Sequence, residues 1–573
     1  MKKNKNALRF ISSVAGKKFY ILILILTQIL LGASGVLYAL LMRGTIDAAV
    51  AGKPGEFVKN IIEFALLVIG QIALRAVLRF MNEYAKSAYE NSFKKRLFET
   101  LMYRDYGSVV ETHSGEWMNR LTSDTQVVAD GLVSIVPGAL GMLAKIVSAV
   151  VMIVIFEPRF GLILFPGCAL LVVITLIFRK HLKNLHKNVQ ESDGKVRMYL
   201  QDHLGSLAVV KTFAREEAAL DGASELMKDH RKARIIRNRF SNFCNIGFGA
   251  VMHGAYCIGV IYGGYGILTG TLTYGTMTAL LQLIGQIQTP LANITGYVPA
   301  YYSMIASAER LMEAEFFSPD YDPEEKVHSS EEVLSLYRSD FAGFGFKDVD
   351  FAYADKIPVL TDFSMMINRG EFVALTGPSG CGKSTILRLL MNLYKPVSGE
   401  RFLLVCPHGE TEAIGTRANS RSSMYSVMEL NSSWRRLFAY VPQGNQLMAG
   451  SIREILTFSD PEKMRNDELI NRSLAISCAG FVTELENGVD TILGERGQGL
   501  SEGQIQRIAI ARAVCSERPI LLLDEATSSL DEQTERQVLD NIRAMTDKTV
   551  IIVTHRPAAL AVCDREVNLQ PRS

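Results

Sequence analysis

Gly377-Pro378-Ser379-Gly380-Cys381-Gly382-Lys383-Ser384-Thr385 fits the pattern G-x-x-x-x-G-K-[ST]. The apolar run Phe372–Thr376 before it reads as a strand, and Thr385–Leu393 after it reads as a helix. Glycines let backbone N–H groups turn inward around phosphate oxygens, and the helix N-terminus adds positive potential. In such a loop Lys383 meets the terminal phosphates and Ser384 offers its hydroxyl to Mg²⁺, so ATP and Mg²⁺ are the expected ligands.

Further along, the short apolar runs Phe438–Val441, Ile520–Leu523 and Thr549–Val553 alternate with helical patterns. That alternation predicts an α/β domain with a largely parallel sheet. The run Ile520–Leu523 ends in Asp524-Glu525, which delivers two carboxylates to the sheet edge where phosphates would lie. Asp524 is expected to hold Mg²⁺ through water and Glu525 to polarise the attacking water. Two surface acids at a strand end are the plainer reading, and the neighbouring phosphate loop argues against it.

The chain has 573 residues, more than one core usually supports. Its 61 Lys+Arg nearly cancel its 59 Asp+Glu, so no basic field points to nucleic acid as a partner. The cysteines show no zinc-ligand spacing and read as free thiols.

The N-terminal half carries the apolar surplus. Phe19–Met42 is uncharged and long enough to cross a bilayer. A cleavable leader is the competing reading, but the run exceeds an h-region and more spans follow. A second run, 61–80, is interrupted by Glu63, Gln71, Arg75 and Arg79, and a third, 132–156, contains Lys145. The fourth, Phe160–Phe178, follows after Glu157-Pro158-Arg159, and the uncharged stretch Phe240–Ala308 holds two more around the turn Thr269–Gly275. Six spans are therefore expected. Basic residues concentrate before the first span and in 81–130 and 179–239, which predicts cytoplasmic termini and two long, helical cytoplasmic loops. The acidic stretch Ser318–Ser339 reads as a linker. The resulting boundaries are a six-helix, all-α transmembrane domain over 1–317, a linker over 318–339 and an α/β phosphate-loop NTPase domain over 340–573.

Between the phosphate loop and Asp524 lies Leu500-Ser501-Glu502-Gly503-Gln504. With this the chain resembles the nucleotide-binding domain of ABC transporters, whose signature is usually Leu-Ser-Gly-Gly-Gln, and six spans ahead of it resemble the exporter branch, built from half-transporters. The resemblance implies that Tyr353 stacks on adenine, that Gln443 senses the γ-phosphate beside the metal, and that Ser528–Asp531 communicates across a dimer. It also implies that His555 is the switch histidine, and that Ser501, Gly503 and Gln504 cap the nucleotide held by the partner chain. Glu495-Arg496-Gly497 matches a segment that touches the membrane domain, and short coupling helices are implied near Tyr106–Glu116 and Gly205–Phe213.

A second half-transporter is thus the implied partner, as homodimer or heterodimer, in a lipid bilayer. The expected setting is a multi-pass protein of a bacterial cytoplasmic membrane that hydrolyses ATP and exports an unknown small molecule, peptide or lipid-like amphiphile. An importer built on the exporter fold and a nucleotide-gated regulatory protein are the rival readings. Three features depart from the family pattern: Glu502 replaces a glycine, Arg401–Ser433 reads as a surface insertion, and the sequence ends soon after Arg565. Gln282, Gln286 and Asn293 fall on one face of the sixth span near Pro290 and either line a path or bond a neighbouring helix. Lys145 and Arg75 either select an anionic or amphipathic cargo, snorkel, or pair with Glu63.

Overall fold

The structure is a computed structural model that describes residues 2–570 apart from 15, 17, 322–326, 354–356, 407–424, 445–446, 495–496 and 498. It falls into two compact units, residues 1–99 with 115–315 and residues 100–114 with 316–573.

The helical part runs α1 (Lys2–Val14), α2 (Lys18–Val50), α3 (Pro54–Tyr103), α4 (Tyr106–Val110) and α5 (Ser114–Asn119), which continues through a π-helical turn, Arg120–Asp124, into α6 (Thr125–Phe156). There follow α7 (Pro158–Gly205), α8 (Leu207–Thr212), α9 (Glu216–Leu268) and α10 (Tyr274–Glu313). Gly52, at φ 67°, closes the turn after α2, and Pro54 opens α3 where a missing N–H costs nothing. Thr273 caps α10 by accepting from the Thr276 N–H. Among the described residues α2, α3, the α5–α6 run and α9 are long and apolar enough to cross a membrane. The fourth and sixth expected spans fall in α7 and α10, of 48 and 40 residues. The count of six rests on the sequence: Gln282, Gln286 and Gln288 dilute the apolar character of α10, and much of the apolar part of α7 has no described side chains. Ala39 of α2, Ala149 and Ile153 of α6, Phe160 of α7 and Leu280, Leu283 and Ile287 of α10 form a shared core. The expected coupling positions are occupied by the short helices α4 and α8.

Beyond residue 316 the first helix of the second unit is α11 (Ser330–Ser339), inside the stretch read as a linker. Ser329 and Glu332 form a capping box, and Val333 and Tyr337 are buried. Two apolar residues four apart are too brief a period to announce a helix. The Tyr337 hydroxyl meets Thr549 Oγ1 at 2.8 Å, tying α11 to the sheet core.

Strands β1 (Phe341–Ala352), β2 (Pro358–Asn368), β4 (Ser398–Val405) and β5 (Ser426–Glu429) form an antiparallel sheet in the order β2-β1-β4-β5. Strands β3 (Phe372–Thr376), β6 (Phe438–Val441), β9 (Ile520–Asp524), β10 (Thr549–Val553) and β11 (Arg565–Asn568) form a parallel sheet in the order β11-β3-β10-β9-β6; β7 (Gly450–Ser451) and β8 (Ile492–Leu493) pair separately. The parallel strands read as unbroken apolar runs because both faces are covered. Ile520 and Leu522 enter the core shared with α12 (Lys383–Leu390) and the antiparallel sheet, whereas Leu521 and Leu523 face the core built on α13 (Ile452–Leu456), α14 (Asp467–Ile476), α15 (Glu502–Cys515) and α16 (Glu532–Arg543). A last short helix, α17 (Pro557–Val562), leads into β11.

Two expectations change here. Arg401–Ser433 is not wholly a surface insertion, since β4 and β5 pair from Phe402↔Glu429 to Val405↔Ser426, and Arg401, Leu403 and Leu430 are buried. The polar tract Thr416–Ser423 lies outside the described residues. After Arg565 the chain still adds β11, which pairs with β3 from Arg565↔Val373 to Asn568↔Thr376.

Candidate functional site

The four parallel strands β3, β10, β9 and β6 end in register, Val553 opposite both Leu375 and Asp524 and Leu523 opposite Val441. Everything that leaves these ends collects at one edge, the usual ligand-binding edge of an open α/β sheet. Leaving β3, the chain turns through Gly377 (φ 135°), Gly380 (φ 82°) and Gly382 (φ 102°), backbone conformations that L side chains rarely adopt. A Cβ on Gly377 would stand 2.3 Å from the Leu569 carbonyl oxygen, so only glycine fits there. No side chain caps α12, which leaves its first N–H groups to an outside acceptor. Lys383 Nζ donates to the carbonyls of Gly377 (2.7 Å) and Pro378 (3.0 Å), curled back along its own loop. Ser379, Gly380 and Cys381 form the turn itself. Thr385 is turned away, its hydroxyl 2.8 Å from the Tyr353 hydroxyl.

Asp524, 1% exposed, accepts from Ser384 Oγ at 2.9 Å and from the Tyr440 hydroxyl at 3.0 Å. Ser384 and Asp524 thus offer two hard oxygens side by side. That set suits Mg²⁺, which takes one or two protein ligands and completes its shell with phosphate and water. Glu525 follows at φ 49°, its N–H bonded to the Val553 carbonyl at 3.1 Å. This sparsely populated backbone turns its carboxylate to Gln443, whose Nε2 donates to Oε2 at 2.7 Å. Gln443 therefore meets Glu525 rather than the Ser384–Asp524 pair. His555, exposed, follows β10 by two residues.

Tyr353 makes edge contacts with Phe351 (ring centroids 5.0 Å) and Tyr394 (5.3 Å). Ser501 caps α15: its Oγ accepts from the Gln504 N–H at 3.3 Å while Gln504 Oε1 accepts from the Ser501 N–H at 2.8 Å. Glu502 then occupies the first turn, where a carboxylate complements the helix dipole. Gly503 packs so close to the segment 528–531 that a Cβ would lie 2.9 Å from the Ser529 carbonyl oxygen. Asp531 caps α16, accepting from the Thr534 N–H at 2.9 Å, and that bond holds its carboxyl below the usual range. Of the segment Glu495–Gly497, Glu495 and Arg496 lie outside the described residues.

Residues 21–291 match the ABC transporter transmembrane region and residues 360–528 match the ABC transporter model, in one chain. The chain belongs to the ABC transporter family. It is 29% identical over 500 residues to ABC transporter B family member 1 of Dictyostelium discoideum, covering 86% of this chain and 51% of that protein, so it spans about half that relative's length. It is 26% identical to an ATP-dependent lipid A-core flippase of Mannheimia succiniciproducens, covering 93% and 86% of the two chains. A bacterial Atm1-family ABC exporter with ATP bound shares its fold at a TM-score of 0.77 and 20% identity, over 97% of this chain and 95% of that one.

In this ABC ATPase two further residues join the site's parts. Gln506, 5% exposed, donates to Ser528 Oγ at 3.1 Å and accepts from the Ser529 N–H at 3.0 Å. Arg556 donates to the carbonyls of Leu530 (2.8 Å) and Ser528 (2.5 Å) and pairs with buried Glu535 at 3.0 Å. The segment 528–531 is thus gripped from α15 on one side and from the His555 loop on the other. Only the position of Gln506 two residues past the signature and of Arg556 beside His555 hints at this in the sequence.

Burial pushes the Asp524 carboxyl above the ordinary aspartate range, although Ser384 and Tyr440 partly offset it. Mg²⁺ needs the ionised form, so lowering the pH through that raised value protonates Asp524 and weakens Mg²⁺-dependent nucleotide binding. Below it the affinity is expected to fall by about tenfold per pH unit. Fluorescent-nucleotide titrations against Mg²⁺, run for the wild type and Asp524→Asn, isolate this from protonation of the nucleotide. A profile just as steep in Asp524→Asn would assign the titration elsewhere.

Proposed function

We propose that this chain is the half-transporter of a dimeric, ATP-driven exporter of a lipid-like amphiphile. The observation that carries the reading is the convergence of Ser384–Asp524 and Gln443–Glu525 at the edge that also bears the phosphate loop, in a chain whose other part holds long apolar helices. Bound Mg²⁺ would neutralise charge on the phosphates. Lys383 would exchange its two carbonyls for phosphate oxygens, and the free N–H groups of α12 would hold them. Glu525 would orient water for in-line attack on the γ-phosphorus and accept its proton as the bond to the departing ADP breaks, leaving inorganic phosphate. Gln443 keeps the carboxylate aimed, and Tyr353 offers an aromatic face to adenine.

Capping by Ser501 and Gly503 needs a second chain, whether identical or not. Closure of the ATPase domains on ATP would be passed through α4 and α8 to the spans, which would face alternately inward and outward. Basic residues in 81–130 and 179–239 support termini and ATPase domain on the cytoplasmic side. The amphiphile class follows the flippase relative. The importer and regulatory readings are less favoured, because that relative is named a flippase and Glu525 and His555 are both in place. The test is reconstitution in sealed vesicles with ATP outside: an inward-accumulating amphiphile, stopped by omission of Mg²⁺, is expected, and ATP-driven depletion of the lumen would mean import.

A further inference from the structure

The membrane-domain helices meet in a polar belt at one level of α2, four residues long. Gly32 approaches α6 so closely that a Cβ would lie 2.8 Å from the Gly141 carbonyl oxygen and 3.1 Å from the backbone nitrogen of Lys145. Ser34 receives Gln71 Nε2 of α3, at 3.0 Å on its hydroxyl and 3.3 Å on its carbonyl. Gly35 packs on Gln286 of α10, whose Nε2 donates to the Gly35 carbonyl at 2.5 Å. Gln286 is 7% exposed and its Oε1 is buried without a hydrogen-bond partner, an acceptor held for a donor that the described residues do not supply. The structural role expected of Gln286 is therefore only half filled.

Two cations stand at this belt. Lys145 follows Gly141 by one turn of α6, and Arg75 follows Gln71 by one turn of α3, which sets both within one turn of the belt. Neither forms a salt bridge with a described acid, and Glu63, the one acid of the second apolar run, is paired instead with Lys59 at 3.9 Å. Snorkelling is a poor escape for Lys145: Gly32 lies mid-way along the uncharged run of α2, and the run's end at Met42 is about ten residues, or roughly 15 Å, further on. Cations inside a bilayer face a partner or a pathway rather than lipid.

We propose that Lys145 and Arg75, with the Ser34–Gln71 and Gly35–Gln286 contacts, form an intramembrane subsite for the anionic headgroup of an amphiphile. The proposal rests on the transporter reading above and names its substrate class: a phosphate or carboxylate on an acyl chain, with a hydroxyl donor for Gln286. Two like charges at mid-membrane repel until an anion stands between them, so the site rejects neutral and zwitterionic headgroups.

The test measures binding to the purified dimer in detergent by native mass spectrometry. Lysophosphatidic acid is the probe, lysophosphatidylcholine the charge-neutral control and laurate the carboxylate arm. The wild type is expected to hold lysophosphatidic acid at least about tenfold tighter than lysophosphatidylcholine, and Arg75→Gln with Lys145→Gln to lose that preference, the size of one to two charge-assisted hydrogen bonds. Lys145→Arg should keep it. Laurate held through the same two residues widens the class to carboxylates; laurate ignored restricts it to phosphates. Equal affinities in the wild type, or a preference that survives in the double variant while its melting temperature is normal, would overturn the subsite. Loss of ATP-driven vesicle accumulation with the preference intact would instead sink the transport reading alone.

Discussion

Glu525→Gln is expected to leave nucleotide binding intact and to slow ATP turnover by on the order of 10²–10⁴-fold, the range for loss of a general base. The structure explains why the two effects separate. Glutamine keeps the length of the side chain, and the amide oxygen still accepts from Gln443 Nε2, now 2.7 Å from Oε2. The strained backbone at 525 is fixed by the bond to Val553, which does not depend on the side chain. What disappears is the charge that orients water and takes its proton. The ATP-bound dimer should then accumulate in its closed state. Asp524→Asn should behave differently, because Asp524 is buried against Ser384 and Tyr440 and is assigned to the metal; it should weaken Mg²⁺-dependent binding first. Turnover and trapped nucleotide, measured for both variants in one preparation, separate the roles. A Glu525→Gln protein that keeps more than about a tenth of wild-type turnover would move hydrolysis to a partner subunit's site.

The parts of this site that were legible in the sequence are those with a local physical cause. Phe372–Thr376, Phe438–Val441 and Thr549–Val553 are strands with the bounds their apolar runs suggested, and Ile520–Leu523 gains only Asp524, because a strand covered on both faces has no polar residue to blur its ends. The phosphate loop announces itself because glycines at fixed offsets are its mechanism. The antiparallel sheet was not legible: β2 alternates exposed and buried residues irregularly, and β1 pairs with shifts in register after Phe346 and Val349. Nor were the grips of Gln506 and Arg556, since each acts on groups 20 or more positions away, and apart from the Ser528 hydroxyl these are backbone carbonyls and an N–H that carry no residue identity. In the membrane part the sequence offered Gln286 as either structural or lining. Its short bond to Gly35 and its orphaned Oε1 are visible only once α2 and α10 are side by side.

Gly503→Asp is expected to cut ATP hydrolysis by on the order of 10²–10³-fold, the usual loss when a preorganised contact to developing charge is removed, while the first nucleotide binds with near-normal affinity. Its cause is steric before it is electrostatic. The new Cβ would start 2.9 Å from the Ser529 carbonyl oxygen, a backbone atom that cannot rotate aside, so the segment 528–531 must shift. That shift strains both bonds from Gln506 and the pair from Arg556, which together fix the segment between α15 and the His555 loop. A carboxylate is also added beside Glu502 at the helix start that faces the partner's nucleotide in the proposed dimer. The phosphate loop, Ser384 and Asp524 stand on other elements and keep their geometry, which is why initial binding survives. Gly503→Ala adds the Cβ alone and should fall between the wild type and the aspartate, with no charge contribution. Steady-state hydrolysis, nucleotide affinity and chemical crosslinking of the closed dimer, measured on all three proteins, decide the matter. A Gly503→Asp protein that hydrolyses ATP at the normal rate would mean that this helix start does not complete a site across the dimer. Equal losses in both variants would leave only the displaced 528–531 segment as the cause, and would remove the charge beside Glu502 from the explanation.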